Sequence, residues 1–390
     1  MRAAIMRNGA IAVGELPEPA PGPGQVLVST LACGICGTDI RVLHKPERLS
    51  PLLKHVPWRR GMDTSKDIVL GHEFCGEVLS YGPECTRRIK PGARVVSMPY
   101  TIVNGAIERI GYSHVNVGGF AERMVLSEET LIEVPDHLSS LHAAFTEPLA
   151  AGLNAVDRAD FAGSEAPLVI GCGPIGLAVI IGLVQLRKHL NVGPIIAADP
   201  QPKRRIAAQM AGADYVVDPG RDSPFRTWEI HALERRASLT PLQRSLLPPM
   251  SPRRSQIYRK AVIFDCAGSP GVMQSIFEGA PHGARIIAVG VTMAPDHIEP
   301  LIGANKELEI RYVFNATPQN FERAFELLAS GEANAAAIVT GTVCLDGVRD
   351  AIKMLSGPSD HIKIAVEPWR IAARDDREET RSTETISFSK

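Results

Sequence analysis

Pro167-Leu168-Val169-Ile170-Gly171-Cys172-Gly173-Pro174-Ile175-Gly176 decides the fold of this chain. A short apolar run enters the glycines, and a second apolar stretch, Pro174 to Leu186, leaves them at helical length. That order of strand, glycine turn and helix is the setting in which GxGxxG holds a dinucleotide. Absent side chains let a pyrophosphate approach the backbone, and the helix N-terminus offers unpaired N–H groups with partial positive charge. Gly171, Gly173, Pro174, Ile175 and Gly176 are therefore the candidate cradle. The pattern is weak by itself, because three glycines after a strand are also ordinary turn chemistry.

Asp199, closing the next apolar run Pro194 to Asp199, strengthens that reading. An acid there binds adenosine ribose hydroxyls and repels a 2′-phosphate, which favours NAD over NADP. Against that preference stand Lys203, Arg204 and Arg205, which could receive a phosphate if Asp199 points away, and Arg204 is counted among the cofactor-binding candidates. Asp199 lies 23 residues after Gly176, about one helical turn beyond the compact unit, so a longer helix ending near Asn191 to Gly193 is predicted.

Further apolar runs at Asp214 to Val217, Ala261 to Asp265, Ala284 to Gly290 and Leu308 to Phe314 alternate with helical stretches. Continuous apolar strands of this kind make a parallel sheet covered on both faces, here an α/β doubly wound Rossmann sheet. Residues 153–314 are assigned to it, with an insertion at about 219–260. The insertion carries nine basic and three acidic residues and a predicted helix near Trp228 to Arg236. It reads as a surface excursion, with a partner contact as the alternative.

Upstream, Gln25 to Ala32, Gly76 to Leu79 and Arg94 to Met98 are short strand-like runs separated by Gly and Pro. Residues 1–152 thus read as a mostly β, loop-rich domain. After Phe314 a helix near Phe321 to Ser330, a strand near Ile338 to Leu345, a helix near Val348 to Leu355 and a strand near Ile362 to Val366 are predicted. They either finish the sheet or return to the first domain. Residues 370–390 are polar and aperiodic and read as a disordered tail.

A 390-residue chain exceeds one ordinary hydrophobic core, which agrees with two domains. With 42 basic and 43 acidic side chains, the electrostatic footprint of a nucleic-acid binder is missing. No apolar run is long enough for a bilayer, and Met1 to Ala12 does not read as a secretory signal. The seven scattered cysteines argue against a disulfide framework and for a reducing cytoplasm.

Zinc favours thiolate, imidazole and carboxylate in a tetrahedral array, with one position left open in a catalytic site. Cys36, His72 and Glu147 supply one of each. Glu73 adjoins His72 as a competing ligand, and the sequence does not choose between the two carboxylates. Cys33 makes a Cys-x-x-Cys pair with Cys36, but no second pair follows, so Cys33 is read as scaffold.

Gly34-Ile35-Cys36-Gly37-Thr38-Asp39, Gly71-His72-Glu73, Gly118-Gly119-Phe120-Ala121-Glu122, Glu147-Pro148-Leu149-Ala150 and the glycine run stand in the order found in zinc-dependent medium-chain dehydrogenases. The chain resembles that family over residues 1 to about 368, and its polyol and threonine dehydrogenase branch in particular. The resemblance implies a GroES-like catalytic domain built from residues 1–152 and 315–369, with catalysis in the cleft beside the Rossmann domain. It implies that Cys36, His72 and Glu147 hold zinc, that Thr38 passes on the alcohol proton, and that Asp39 orients His72. It also implies hydride transfer from an alcohol, a secondary alcohol or polyol being favoured, to a nicotinamide near Val289-Gly290-Val291. A homodimer or homotetramer and a small-molecule partner follow from the same likeness.

Three departures stand out. About Met98 to Val117, where many relatives hold a structural zinc, contains no cysteine, so one zinc per chain is expected. Arg41 stands where relatives place a relay histidine, and arginine is a poor proton shuttle. His44 is a substitute, or a ribose hydroxyl and water take the proton. The segment His44 to Lys66, with Trp58, either shapes substrate choice or is a plain surface loop. Competing functional readings are a zinc-free quinone or enoyl reductase on this fold, and a non-catalytic binding protein derived from it.

Overall fold

A computed structural model of the protein describes residues 1–48, 55, 62–103, 106–234, 257–357 and 359–371. Trp58, most of the 219–260 insertion and the tail from 372 onward lie outside the described residues.

Six parallel strands make the nucleotide sheet, in the spatial order Tyr215–Val217, Ile196–Ala198, Glu165–Ile170, Lys260–Asp265, Arg285–Ala288 and Glu309–Tyr312. Numbered along the chain this is 3-2-1-4-5-6, the doubly wound order with its reversal beside the glycine turn. Both faces are covered. Leu177, Ile180 and Leu183 pack with Leu149, Leu153 and Phe325 on one side. Trp228, Ile276 and Phe277 cover the other, where the Trp228 indole N–H donates to the Ala166 carbonyl at 2.9 Å. Each fully buried Leu or Ile contributes roughly 1.5–3 kcal/mol, which explains why these strands read as unbroken apolar runs.

Residues near the two chain ends share a second sheet. Its order is Leu131–Glu133, Arg94–Ser97, Glu73–Tyr81, Gln25–Gly34, Lys363–Val366 and Val339–Val343, with Arg123–Ser127 also paired to Gln25–Gly34. The strand Lys363–Val366 runs antiparallel to Gln25–Gly34, with Ala365 opposite Gly34 and Val366 opposite Cys33. Of the two readings left open for the segment after Phe314, the chain takes the return. A hairpin, Tyr100–Val103 with Ala106–Arg109, projects from this lobe.

Two predicted helices are corrected. The helix after the glycines is Pro174–Arg187, not one reaching Asn191 to Gly193. The amides of Lys188, His189 and Leu190 close its last turn on the Gln185 and Leu186 carbonyls, and the Gly193 amide then bonds Glu165 to enter the sheet. The extra residues therefore form a loop. The helix expected near Trp228 to Arg236 is Pro224–His231, because Ser223 caps the Arg226 amide and Pro224 fits the first turn. Among the described residues no helix is long and apolar enough to cross a membrane.

Candidate active site

Helix Gly37–His44 starts on Cys36, whose sulfur accepts the Thr38 amide at 3.4 Å. Asp39 completes a capping box by accepting the Cys36 amide at 2.9 Å. The positive end of the helix is thereby aimed at the sulfur. The other Asp39 oxygen accepts the Tyr112 hydroxyl at 2.9 Å and lies 3.4 Å from His72 Nδ1. His72 packs on the Tyr112 ring, with centroids 5.0 Å apart. Burial pushes the Tyr112 phenol well up, and Asp39 adds to this, so Tyr112 stays a donor. Burial disfavours charged His72, but Asp39 and the Cys36 sulfur outweigh it and raise its pKa well above the ordinary value.

The ligand atoms of Cys36, His72 and Glu73 lie within 4.8 Å of one another. Glu73, however, is engaged: Lys363 Nζ donates to its two oxygens at 2.7 and 2.6 Å, with both residues buried. Glu147, in the first turn of helix Thr146–Arg158, makes no hydrogen bond or ion pair with the described residues. Burial pushes its carboxyl up to about 7, against the pull of His72 and Lys363. A half-buried carboxylate without a cation is costly, and sulfur, imidazole and carboxylate form the donor set that zinc takes. The donor types fit the metal: Cys36, His72 and Glu73 form the close cluster, Lys363 engages Glu73, and Glu147 lines the same cleft outside that cluster.

Across a cleft of about 770 Å³ stands the nucleotide cradle. Gly171 has φ of +91°, and a Cβ on Gly176 would fall 1.9 Å from the Gly171 carbonyl oxygen, so glycine is required at both. Asp199 is buried and turned toward this loop: one oxygen accepts the Cys172 amide and the other the Gln201 amide, each at 2.8 Å. Arg204 Nη1 lies 3.9 Å from Asp199. Lys203 pairs with Asp360 and Arg205 with Asp218, which leaves Arg204 facing the cleft. Asp265 ties the neighbouring loops together. Its carbonyl accepts the Val289 and Gly290 amides, and its carboxylate those of Ala267 and Gly268.

Thr38, Arg41, Glu147, Pro174, Val289 and Val291 line this one cleft with the sulfur and imidazole. Arg41 donates to the Ala267 and Gly268 carbonyls at 3.5 and 3.4 Å. His44 instead bonds Ser356 on the exposed side, and Cys33 is buried away from the cleft. Lys363, Tyr112 and Arg109 escaped the sequence reading. Only Lys363 left a signal, a lysine inside the apolar run Ile362 to Val366, where a buried charge demands a partner.

A cleft with a nucleotide cradle on one wall and a sulfur, imidazole and carboxylate set on the other defines a metal-dependent nicotinamide oxidoreductase. Residues 22–136 match the alcohol dehydrogenase GroES-like domain, and residues 174–330 match the zinc-binding dehydrogenase domain. The chain belongs to the zinc-dependent medium-chain dehydrogenases. It is 27% identical to the (R,R)-butanediol dehydrogenase of Bacillus subtilis, over 94% of this chain and all of that one. With the sorbitol dehydrogenase of the same organism it shares 26%, covering 95% and 98%. The crystal structure of 2R,3R-butanediol dehydrogenase from B. subtilis superposes with a TM-score of 0.72 at 26% identity, over 94% of this chain and 99% of that one. A zinc-binding dehydrogenase from Sinorhizobium meliloti 1021 bound to NADP does so with 0.69 at 28%, over 94% and 99%.

Proposed function

We propose that the protein oxidises a secondary alcohol or polyol to the ketone or aldehyde, passing the hydride to NAD(P) and the hydroxyl proton to solvent. The observation that carries this is that Cys36, His72 and Glu147 line one cleft together with Gly173, Pro174 and Ile175 of the glycine cradle. Zinc bound there supplies Lewis-acid polarisation of the alcohol oxygen. One catalytic zinc per chain is proposed, held by Cys36, His72 and Glu147, with Glu73 as the alternate ligand.

The chain's own groups do the rest. Asp39 holds His72 and the Cys36 amide in place. Thr38 Oγ1 takes the hydroxyl proton and passes it to a ribose hydroxyl and water, since Arg41 stays protonated and donates to backbone carbonyls. Gly171, Gly173, Pro174, Ile175 and Gly176 receive the diphosphate, and Val289 and Val291 border the nicotinamide.

NAD is the proposed acceptor. An acid closing the second strand, as Asp199 does, favours ribose hydroxyls over a 2′-phosphate, and Arg204 3.9 Å away partly offsets its charge. Residues 1–152 and 315–369 are proposed as the catalytic domain, and 153–314 as the cofactor domain. A homodimer or homotetramer is supported by Glu309–Tyr312, which ends the parallel sheet with Tyr312 77% exposed. An alcohol panel followed by reduced-nicotinamide absorbance, with NAD and NADP in parallel, tests this reading. No reduction of either cofactor by zinc-loaded protein would refute it.

A further inference from the structure

Arg109 ends the strand Ala106–Arg109 of the hairpin and lines the same cleft as Cys36, His72 and Glu147. Its guanidinium lies 5.7 Å from the centre of the Phe314 ring, which belongs to the nucleotide domain, so it bridges the two cleft walls. No carboxylate stands within 4 Å of it among the described residues, and it makes no hydrogen bond with them. Burial pulls the guanidinium below its ordinary value, yet arginine stays charged in proteins. A partly buried cation with only an aromatic face for company among the described residues has none of them accepting from its five N–H donors.

Its surroundings are apolar. Tyr100 stands opposite Arg109 in the hairpin, and Ile107, Ile110 and Phe314 line the same cleft, so among the described residues the guanidinium has apolar and aromatic company. Of the other two guanidiniums lining the cleft, Arg41 is tied to the Ala267 and Gly268 carbonyls and Arg204 lies 3.9 Å from Asp199, both on the cofactor side. Three residues beyond Arg109, Tyr112 packs on His72. Three residues of extended chain span at most about 11 Å, which is the scale of a short-chain substrate.

We propose that Arg109 receives an anionic group, carboxylate or phosphate, carried by the alcohol that is oxidised at the Cys36–His72–Glu147 site. This rests on the alcohol-oxidation reading and narrows it to hydroxy acids or polyol phosphates. The planar fork of arginine matches either anion bidentately, and such charge-assisted pairs are about twice as strong as neutral hydrogen bonds. A neutral polyol leaves the fork unfilled.

The test pairs each anion with a neutral counterpart in the zinc-loaded enzyme: gluconate against sorbitol, lactate against isopropanol, glycerol phosphate against glycerol. The better of the carboxylate and phosphate arms identifies the source. Wild-type kcat/KM is expected to favour one anionic member by about 10- to 100-fold, the factor of a charge-assisted hydrogen bond. Arg109→Gln should erase that preference mainly through KM, with Arg109→Lys restoring part of it. Turnover of neutral alcohols and the NAD Kd should stay within about twofold.

Calorimetric binding of the same pairs to the cofactor complex separates the two failures. Turnover of neutral alcohols equal to or better than that of anions, unchanged in Arg109→Gln, overturns the Arg109 assignment while alcohol oxidation stands. Arg109-dependent anion binding with no turnover of any alcohol overturns the oxidation reading. Equal losses for charged and neutral alcohols would make Arg109 a structural residue and refute the proposal.

Discussion

Lys363 Nζ lies 2.7 and 2.6 Å from the two oxygens of Glu73 and 3.1 Å from the Ile35 carbonyl, joining residues 290 positions apart in a fully buried ion pair. Burial opposes the Lys363 charge, and Glu73 with the Cys36 sulfur outweighs it, raising its pKa. The pair stitches the returning strand Lys363–Val366 to the strand that carries the GHE turn, and it occupies the carboxylate that would otherwise rival Glu147.

Removing Lys363 strands Glu73. Lys363→Met is expected to cost about 3–5 kcal/mol, because an uncompensated charge stays buried. Denaturant unfolding of the zinc-loaded protein measures it, and Lys363→Met with Glu73→Met should recover most of the loss. Equal instability in single and double variants would mean that packing, not charge, is what was lost.

The metal site should bind protons and zinc in competition. Glu147 has its pKa raised to about 7, and that of His72 is raised as well. The folded apoprotein therefore holds protons that the unfolded chain has released. The associated stability is present below the unfolded values and lost as pH rises through about 7. Apoprotein is expected to melt at a lower temperature at pH 8 than at pH 6. Zinc needs the deprotonated ligands, so its affinity and the stabilisation it gives should rise over the same interval. Calorimetry in two buffers of different ionisation enthalpy should show proton release at pH 6. Absence of release there would contradict the Glu147 assignment.

Gly176→Ala places a methyl group 1.9 Å from the Gly171 carbonyl oxygen. The loop must open, and NAD binding should weaken roughly 10- to 100-fold, 1.4 kcal/mol for each decade. Zinc content should be unchanged, since the proposed ligands Cys36, His72 and Glu147 lie outside the glycine loop. Titration of reduced-nicotinamide fluorescence checks the first expectation and metal analysis the second.

Asp199→Asn removes the negative charge beside Arg204 and keeps a side-chain oxygen for the Cys172 amide. The ratio of kcat/KM for NADP to that for NAD should rise about tenfold, 1.4 kcal/mol of discrimination. An unaltered ratio would show that Asp199 serves only the glycine loop.

Much of this was legible in the sequence, for stated physical reasons. Parallel strands are buried on both faces, so Glu165–Ile170 and Lys260–Asp265 read as unbroken apolar runs, and their order follows from doubly wound topology. The glycines showed because backbone contacts forbid a side chain at Gly176. Helix ends were less legible: the closure of Pro174–Arg187 depends on backbone bonds that no residue type announces. That Glu73 pairs with Lys363, 290 residues away, was not legible, because no local pattern carries a contact of that range. Arg109 faces the cleft only because the hairpin meets Phe314 of the other domain.

In the proposed site Cys36, His72 and Glu147 hold the one zinc that drives alcohol oxidation. Zinc content, alcohol-dependent NAD reduction and NAD Kd, measured together on wild-type protein and Cys36→Ser, test it most directly. About one zinc per wild-type chain is expected, as for an open catalytic site. Cys36→Ser should lose the metal and nearly all turnover while its NAD Kd stays within about twofold. Full turnover in Cys36→Ser, or in wild-type protein stripped of zinc, would contradict it.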